Sequence, residues 1–151
     1  MKIAIGSDHG GYNLKEHIKK YLESKGVEFK DFGTNSTESC DYPDYAFRVA
    51  SAVAGIQFDR GIIICGTGIG VSISANKVKG IRAALCTDTF SARMSREHNN
   101  ANVLCMGERV IGTGVAIDIV EAWLKAEFTG GRHERRVGKI LDIEEKCDII
   151  D

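Results

Sequence analysis

Short aliphatic runs alternate along this chain with longer stretches in which apolar positions recur every third or fourth residue. Residues 3–5 read as a buried strand, after which Leu14, Ile18, Tyr21 and Leu22 follow at helical spacing until Gly26 ends the helix. A second strand is predicted over residues 27–32. The polar stretch 33–44 holds the only proline, Pro43, and is long for a structureless connection, which marks it as a functional loop. Asp44 is the expected cap of the next helix, whose apolar face is Ala46, Val49, Ala50 and Val53. Residues 62–65 are continuously apolar, the pattern of a central strand covered on both sides. A glycine-rich turn and a helix to about residue 77 lead to a strand over 82–86, a helix from about Asp88 and a strand over 103–106. Thr113 opens a helix carrying Ala116, Ile117, Val120, Trp123 and Leu124. Gly130 and Gly131 separate it from a charged last helix with Val137, Ile140 and Leu141. Strands alternating with helices predict an α/β fold with five parallel strands and helices on both faces.

The composition narrows the class of protein. With 151 residues, 43% hydrophobic and 27% charged, the chain suits one globular domain over 1–151 and leaves no room for a second. Twenty Lys and Arg against 21 Asp and Glu give a formal net charge of -1, so no bulk field draws it to nucleic acid or anionic lipid. Any anion site has to be local. The cysteines Cys40, Cys65, Cys86, Cys105 and Cys147 are odd in number and widely spaced, with no CxxC pair of the zinc-binding kind, which fits a reducing compartment. The N-terminal apolar run reaches Ser7-Asp8-His9 too soon for a signal-peptide core, and no run approaches a membrane span, so a cytoplasmic protein is expected.

In open parallel sheets ligands sit beyond the carboxyl ends of the strands. Three polar turns are therefore candidates: residues 6–11 with Asp8 and His9, residues 65–70 reading Cys-Gly-Thr-Gly-Ile-Gly, and His98-Asn99-Asn100 after the fourth helix. All three can face one pocket. The glycines of the second turn let backbone N–H groups converge on an anion at a helix N-terminus, although a tight connection explains such a turn equally well. Cys65 abuts that N-terminus, a setting that suits a thiolate base or nucleophile, whereas Cys86 and Cys105 read as inert packing. Asp8 can equally be a helix cap, and His98 a cation at a helix C-terminus. Arg132 and Arg136 are i,i+4 and can clamp a phosphate from one helix face. With Glu134 and Arg135 interleaved, a solvated face accounts for them too, and Arg109 is similarly ambiguous.

The DHGG turn, the CGTGIG turn, the segment EHNNANVLCMGERVIG and the RHxRR cluster, in this order over nearly the whole chain, resemble type B ribose-5-phosphate isomerases. The resemblance implies a Rossmann-like three-layer αβα sandwich with a five-stranded parallel sheet and a C-terminal helix. It implies an aldose–ketose isomerase, free of metal and cofactor, that interconverts D-ribose 5-phosphate and D-ribulose 5-phosphate in the pentose phosphate pathway. Carried onto this sequence, Cys65 is the base that moves a proton between C2 and C1, with Thr67 beside it. The amides of Gly66, Thr67, Gly68, Ile69 and Gly70 hold the enediolate. His98 opens the furanose ring, Asp8 and Asn99 bind hydroxyls, and His9, Arg109, Arg132 and Arg136 surround the phosphate. A homodimer, or a tetramer, is implied, with a dimer interface completing the pocket. Members without the cysteine use a glutamate further along; residues 72–75 hold no carboxylate, which indicates the cysteine branch. Related isomerases act on allose 6-phosphate or galactose 6-phosphate, so a hexose 6-phosphate is the alternative substrate.

Two other classes stay open at this level. A non-catalytic nucleotide-binding module would use the glycine turn with Asp88, but Gly70 falls one position short of the third glycine of GxGxxG, which Val71 occupies. A hydrolase with a cysteine nucleophile would combine Cys65, His98 and Asp8.

Overall fold

The structure, a computed structural model, describes residues 1–147. Five strands alternate with helices: β1 (Lys2–Ser7), α1 (Tyr12–Ser24), β2 (Glu28–Asp31), α2 (Tyr42–Ala54), β3 (Arg60–Cys65), α3 (Ile69–Ala75), β4 (Ala83–Leu85), α4 (Thr89–Glu97), β5 (Val103–Gly107), α5 (Thr113–Lys125) and α6 (Arg132–Cys147). All pairings are parallel, in the order β2-β1-β3-β5-β4. Among the described residues no helix is long and apolar enough to cross a membrane.

Side chains alternate across the pleat, so each strand feeds two cores. Ile3, Ile5, Ile62, Ile64, Leu104 and Met106 pack under α1, α4 and α5, where the fully buried Trp123 sits. Ala4, Ile63, Val103 and Cys105 pack under α2 and α3. β3 lies in the middle of the sheet and is buried at every residue, which is why no polar position interrupts it after Arg60. The outer edge of β4 is closed by Asn76, whose Nδ2 donates to Ala83 O at 2.9 Å while its Oδ1 accepts from Ala83 N at 2.8 Å.

Three boundaries differ from the sequence pattern. Asp41, in extended conformation, precedes the first turn of α2; Asp44 lies inside that turn, where Pro43 needs no N–H and a carboxylate meets the positive end of the helix dipole. β2 and β4 are shorter than the expected 27–32 and 82–86, as suits edge strands with a single pairing partner. On α6 only Val137 is buried, while Ile140 and Leu141, expected to pack, are exposed, as is Ile143. Gly130 and Gly131, at φ +65 and +59, make the left-handed break before that helix.

A buried ion cluster ties α1 to the loop that follows β2. The Lys15 side chain is wholly buried; its Nζ binds Asp31 Oδ2 and Glu16 Oε1, and Lys19 Nζ reaches the same two carboxylates. Asp31 Oδ1 accepts from Gly33 N at 2.8 Å, which fixes where the loop departs. Burial favours the neutral acid at Asp31, but hydrogen bonds from Lys15, Lys19 and Gly33 N outweigh it and hold the pKa below 3.8. The stability this carboxylate contributes is therefore complete above its unfolded pKa and is lost as pH falls through the lower folded value. Asp31→Asn, which leaves the Lys15 cation with Glu16 alone, should lower the unfolding free energy at neutral pH by less than the ~3 kcal/mol that a fully unpaired buried charge costs. In urea unfolding, the gap from wild type should narrow as pH falls below the unfolded carboxyl value of about 3.9.

Candidate active site

Two groups of candidate residues occur, and they lie at opposite edges of the sheet. At the carboxyl edge the turns after β1, β3 and β5 meet. Cys65 ends β3 nearly buried, and Gly68 N donates to its sulfur at 3.1 Å. This geometry needs glycine at 68: φ is +79, and a Cβ there would stand 2.5 Å from Leu85 Cδ1 and 2.8 Å from Met106 C. Thr67 Oγ1 accepts from Ile69 N at 3.3 Å, so two of the five amides in residues 66–70 are committed within the turn. Gly66 packs under Arg109, whose Nη1 would be 3.2 Å from a Cβ at that position. Gly10 brings the first turn equally close to Gly66 N, at 3.1 Å from its own would-be Cβ.

Asp8 is a cap here: its Oδ1 accepts from Gly11 N at 3.1 Å at the start of a short 3-10 turn, His9–Gly11, and its Oδ2 lies 4.0 Å from His9 Nδ1. The loop after β2 closes over this turn. Cys40 N lies 3.1 Å from His9 Nδ1, as donor when that nitrogen is unprotonated. The other thiols behave differently from a strand-end base. Burial pushes Cys86 up to about 11 and raises Cys105 as well, which keeps both protonated and inert near neutrality.

His98 and Asn99 do not join this group within one chain. α4 leaves β4 at the carboxyl edge and runs back, so its end at His98 stands at the amino edge, where Asn102 O receives Gly61 N at the start of β3. The two edges are separated by the length of β3, about 3.3 Å per residue over six residues, or some 15–20 Å. Chain direction thus keeps the third turn from the other two within one chain, so a pocket that all three face needs a second copy. Around His98 gather the other expected residues: its ring stacks on His133, with centroids 4.1 Å apart and planes at 4°, and His133 belongs to the exposed first turn of α6 with Arg132 and Arg136. Burial, His98 and the two arginines all lower the His133 pKa. Asn99 borders a cavity of about 610 Å³ between β4 and α6, with Arg82, Ile140 and Ile143 also in its wall.

Four residues were not singled out by motif reading. Tyr42 lays its ring over Gly70, where a Cβ would be 2.7 Å away. Cys40 clasps His9. Glu108 Oε2 accepts from Leu14 N at 2.9 Å and Oε1 from Asn13 Nδ2 at 3.2 Å, capping α1 while its own N–H donates to Cys65 O at 2.9 Å. His133 lay inside a recognised motif without a role. The only available signal for the first two was the unusual length of the 33–44 loop.

The geometry disfavours both rival classes. Asp88, needed at a nucleotide ribose, is spent on capping α4: Oδ1 accepts from Ser91 N and Oδ2 from Ser91 Oγ, each at 2.7 Å. A Cys65–His98 nucleophile pair within one chain would have to span the sheet. Among the described residues no group of three His, Cys, Asp or Glu could hold a metal ion.

Residues 3–140 match the Ribose/Galactose Isomerase family model. The chain is 54% identical to ribose-5-phosphate isomerase B of Escherichia coli strain K12, over 96% of its length and 97% of the relative's. Ribose-5-phosphate isomerase B of Clostridium thermocellum superposes with a TM-score of 0.96 at 64% identity, covering 97% of this chain and 99% of that one. The Mycoplasma genitalium enzyme, solved with bound ribulose-5-phosphate, gives 0.91 at 46% identity, covering 95% and 96%.

Proposed function

The chain belongs to the ribose/galactose isomerase family, and we propose that it interconverts D-ribose 5-phosphate and D-ribulose 5-phosphate in sites that are each built from two copies of the chain. The whole chain is then a single isomerase domain of a cytoplasmic homodimer. The observation that supports this most directly is the Cys65 sulfur, which ends the central strand, receives a backbone N–H from Gly68, and lies where the Asp8 and Arg109 turns converge.

In this reading the Cys65 thiolate takes the proton from C2 of the open-chain aldose, and the C2–H electrons move into a C1–C2 double bond as negative charge develops on O1. The uncommitted amides of the 66–70 turn stabilise that oxygen, since preorganised donors are worth most where charge appears. The Cys65 thiol then returns the proton to C1. A hydroxyl proton moves from O2 to O1, a transfer for which Thr67 Oγ1 is the nearest candidate in the turn. Asp8 orients sugar hydroxyls, with His9 and Arg109 toward the phosphate.

Ribose 5-phosphate is mostly a furanose in water, so a group must first take the O1 proton and protonate the ring oxygen. His98 is assigned that step, with Asn99 on a hydroxyl and Arg132 and Arg136 on the phosphate. Because these four lie at the far edge of the sheet, they serve the Cys65 of a second copy. Exposed apolar side chains are available to join copies near both groups: Ile69 and Ile73 on α3, where Ile73 is 58% exposed, and Ile140 and Ile143 on α6, where Ile143 is 60% exposed.

Cys65→Ala should reduce kcat by about 10³-fold or more while sugar-phosphate binding, measured by calorimetry, changes little. Cys86→Ala, the control for losing a thiol, should keep near-normal turnover. Near-normal isomerisation by folded Cys65→Ala would remove it as the base. His98→Asn should slow ribose 5-phosphate far more than a four-carbon aldose 4-phosphate, which has no free hydroxyl able to close a five-membered ring. Equal loss on both substrates would contradict the ring-opening assignment.

A further inference from the structure

The turn that carries His98 and Asn99 ends in a left-handed residue. Asn100 has φ +47, a region that asparagine enters far more readily than other residues with a Cβ. Its Oδ1 accepts from Arg96 Nη1 at 3.0 Å, and the same Nη1 donates to Ala101 O at 2.6 Å. Arg82 Nε donates to Asn100 O at 3.1 Å. From the other flank, Thr129 gives its N–H at 3.1 Å and its hydroxyl at 2.8 Å to Glu97 O. Residues 97–101 are therefore gripped at both ends, with His98 and Asn99 between the grips.

Arg96 is a costly way to hold a turn. It is 93% buried, its bonds go to neutral acceptors, and its Nε has no partner. Burial, with the Arg60 and Arg82 charges nearby, pushes its guanidinium down to about 10, so it remains charged near neutrality. A neutral side chain would fill the space without desolvating a cation beside two others. Both bonds leave Nη1, and what the planar guanidinium supplies is two N–H donors on one nitrogen held in fixed directions, one to a side-chain oxygen and one to the next backbone carbonyl, where the donors of a lysine ammonium rotate freely.

We propose that Arg96 and Asn100 are a positioning pair that sets the direction of His98 and Asn99 toward the partner's Cys65. Neither touches substrate; Arg96 fixes Asn100, and Asn100 fixes the turn. The proposal rests on His98 opening the sugar ring, and it can fail separately from that assignment.

The test uses the full-length protein with Asn100→Ala, Asn100→Gly, Arg96→Lys and His98→Asn. Asn100→Ala loses the anchor and enters the left-handed region less readily than asparagine, whereas Asn100→Gly loses the anchor but adopts the left-handed backbone freely. With ribose 5-phosphate, kcat should fall about 10–100-fold in Asn100→Ala, as a small misplacement of a reacting group would produce, and less in Asn100→Gly. KM should rise for both substrates, because Asn99 moves with the turn, while kcat on the four-carbon acyclic substrate should stay close to wild type. Arg96→Lys should behave like Asn100→Ala; if it does not fold, the half-buried Asn100 variants carry the test. The ring-current shift of the His98 imidazole protons from its stack on His133, read by NMR in a chain with four histidines, should be lost or reduced in the same order. A merely structural role would lower Tm without changing the ratio of the two substrates or that shift. Folded Asn100 variants with a wild-type substrate ratio and a wild-type His98 shift overturn the proposal. If His98→Asn slows both substrates equally, ring opening by His98 is wrong, and the NMR shift alone then decides whether the pair positions the turn.

Discussion

A strand–helix–strand crossover returns the chain to the edge of the sheet from which it started, and the architecture of the site depends on that constraint. Parallel strands all deliver their ends to one edge, so the turns after β1, β3 and β5 meet there and bring Asp8, Cys65 and Arg109 together. The helices between them run the other way. A residue at the end of a crossover helix, as His98 is, belongs to the opposite edge, and about 15–20 Å of buried β3 stands between the groups. No side-chain motion crosses that distance. If both groups act on one sugar, two chains must supply them.

The two groups are stiffened by different devices. At the carboxyl edge the turns pack closely: Gly68 allows an approach that a methyl group would block, Gly10 and Gly66 allow approaches that it would crowd, and Glu108 joins the Cys65 carbonyl to the start of α1. At the amino edge the clamps are long donors. Arg60 Nη1 donates to Trp123 O at 3.0 Å and Leu124 O at 3.1 Å, serving the otherwise unmatched carbonyls at the end of α5, while Arg96 and Arg82 hold the turn after α4. Close backbone packing suits an oxyanion site, which needs fixed N–H groups; guanidinium clamps suit a turn that, in the two-copy site proposed, meets a second chain.

Much of this was legible from periodicity. The uninterrupted run of β3, the helical spacing of α1 and α5 and the double glycine before α6 correspond to a real central strand, real helices and a real break. The carboxyl-edge residues follow from the rule that turns after parallel strands converge. The edge on which His98 stands was not legible, because motif spacing says that a histidine is present but not which way its helix runs. Tyr42 over Gly70 and Glu108 at Leu14 are contacts between distant segments and leave no local pattern. Ile140 and Leu141 read as a core face, yet both are exposed, because α6 stands off β4 across the cavity that Ile140 lines.

The central claim, that Cys65 of one copy works with His98 of another, has a direct test in subunit exchange. Cys65→Ala and His98→Asn proteins, each with little activity on ribose 5-phosphate, are mixed, allowed to exchange, and the hybrids verified by mass. A hybrid dimer with shared sites holds one doubly damaged site and one intact site, so random exchange should restore about a quarter of wild-type activity. If Cys65 and His98 of the same chain served each site, every site in the hybrid would carry one lesion. Verified hybrids that stay inactive would contradict the two-chain site.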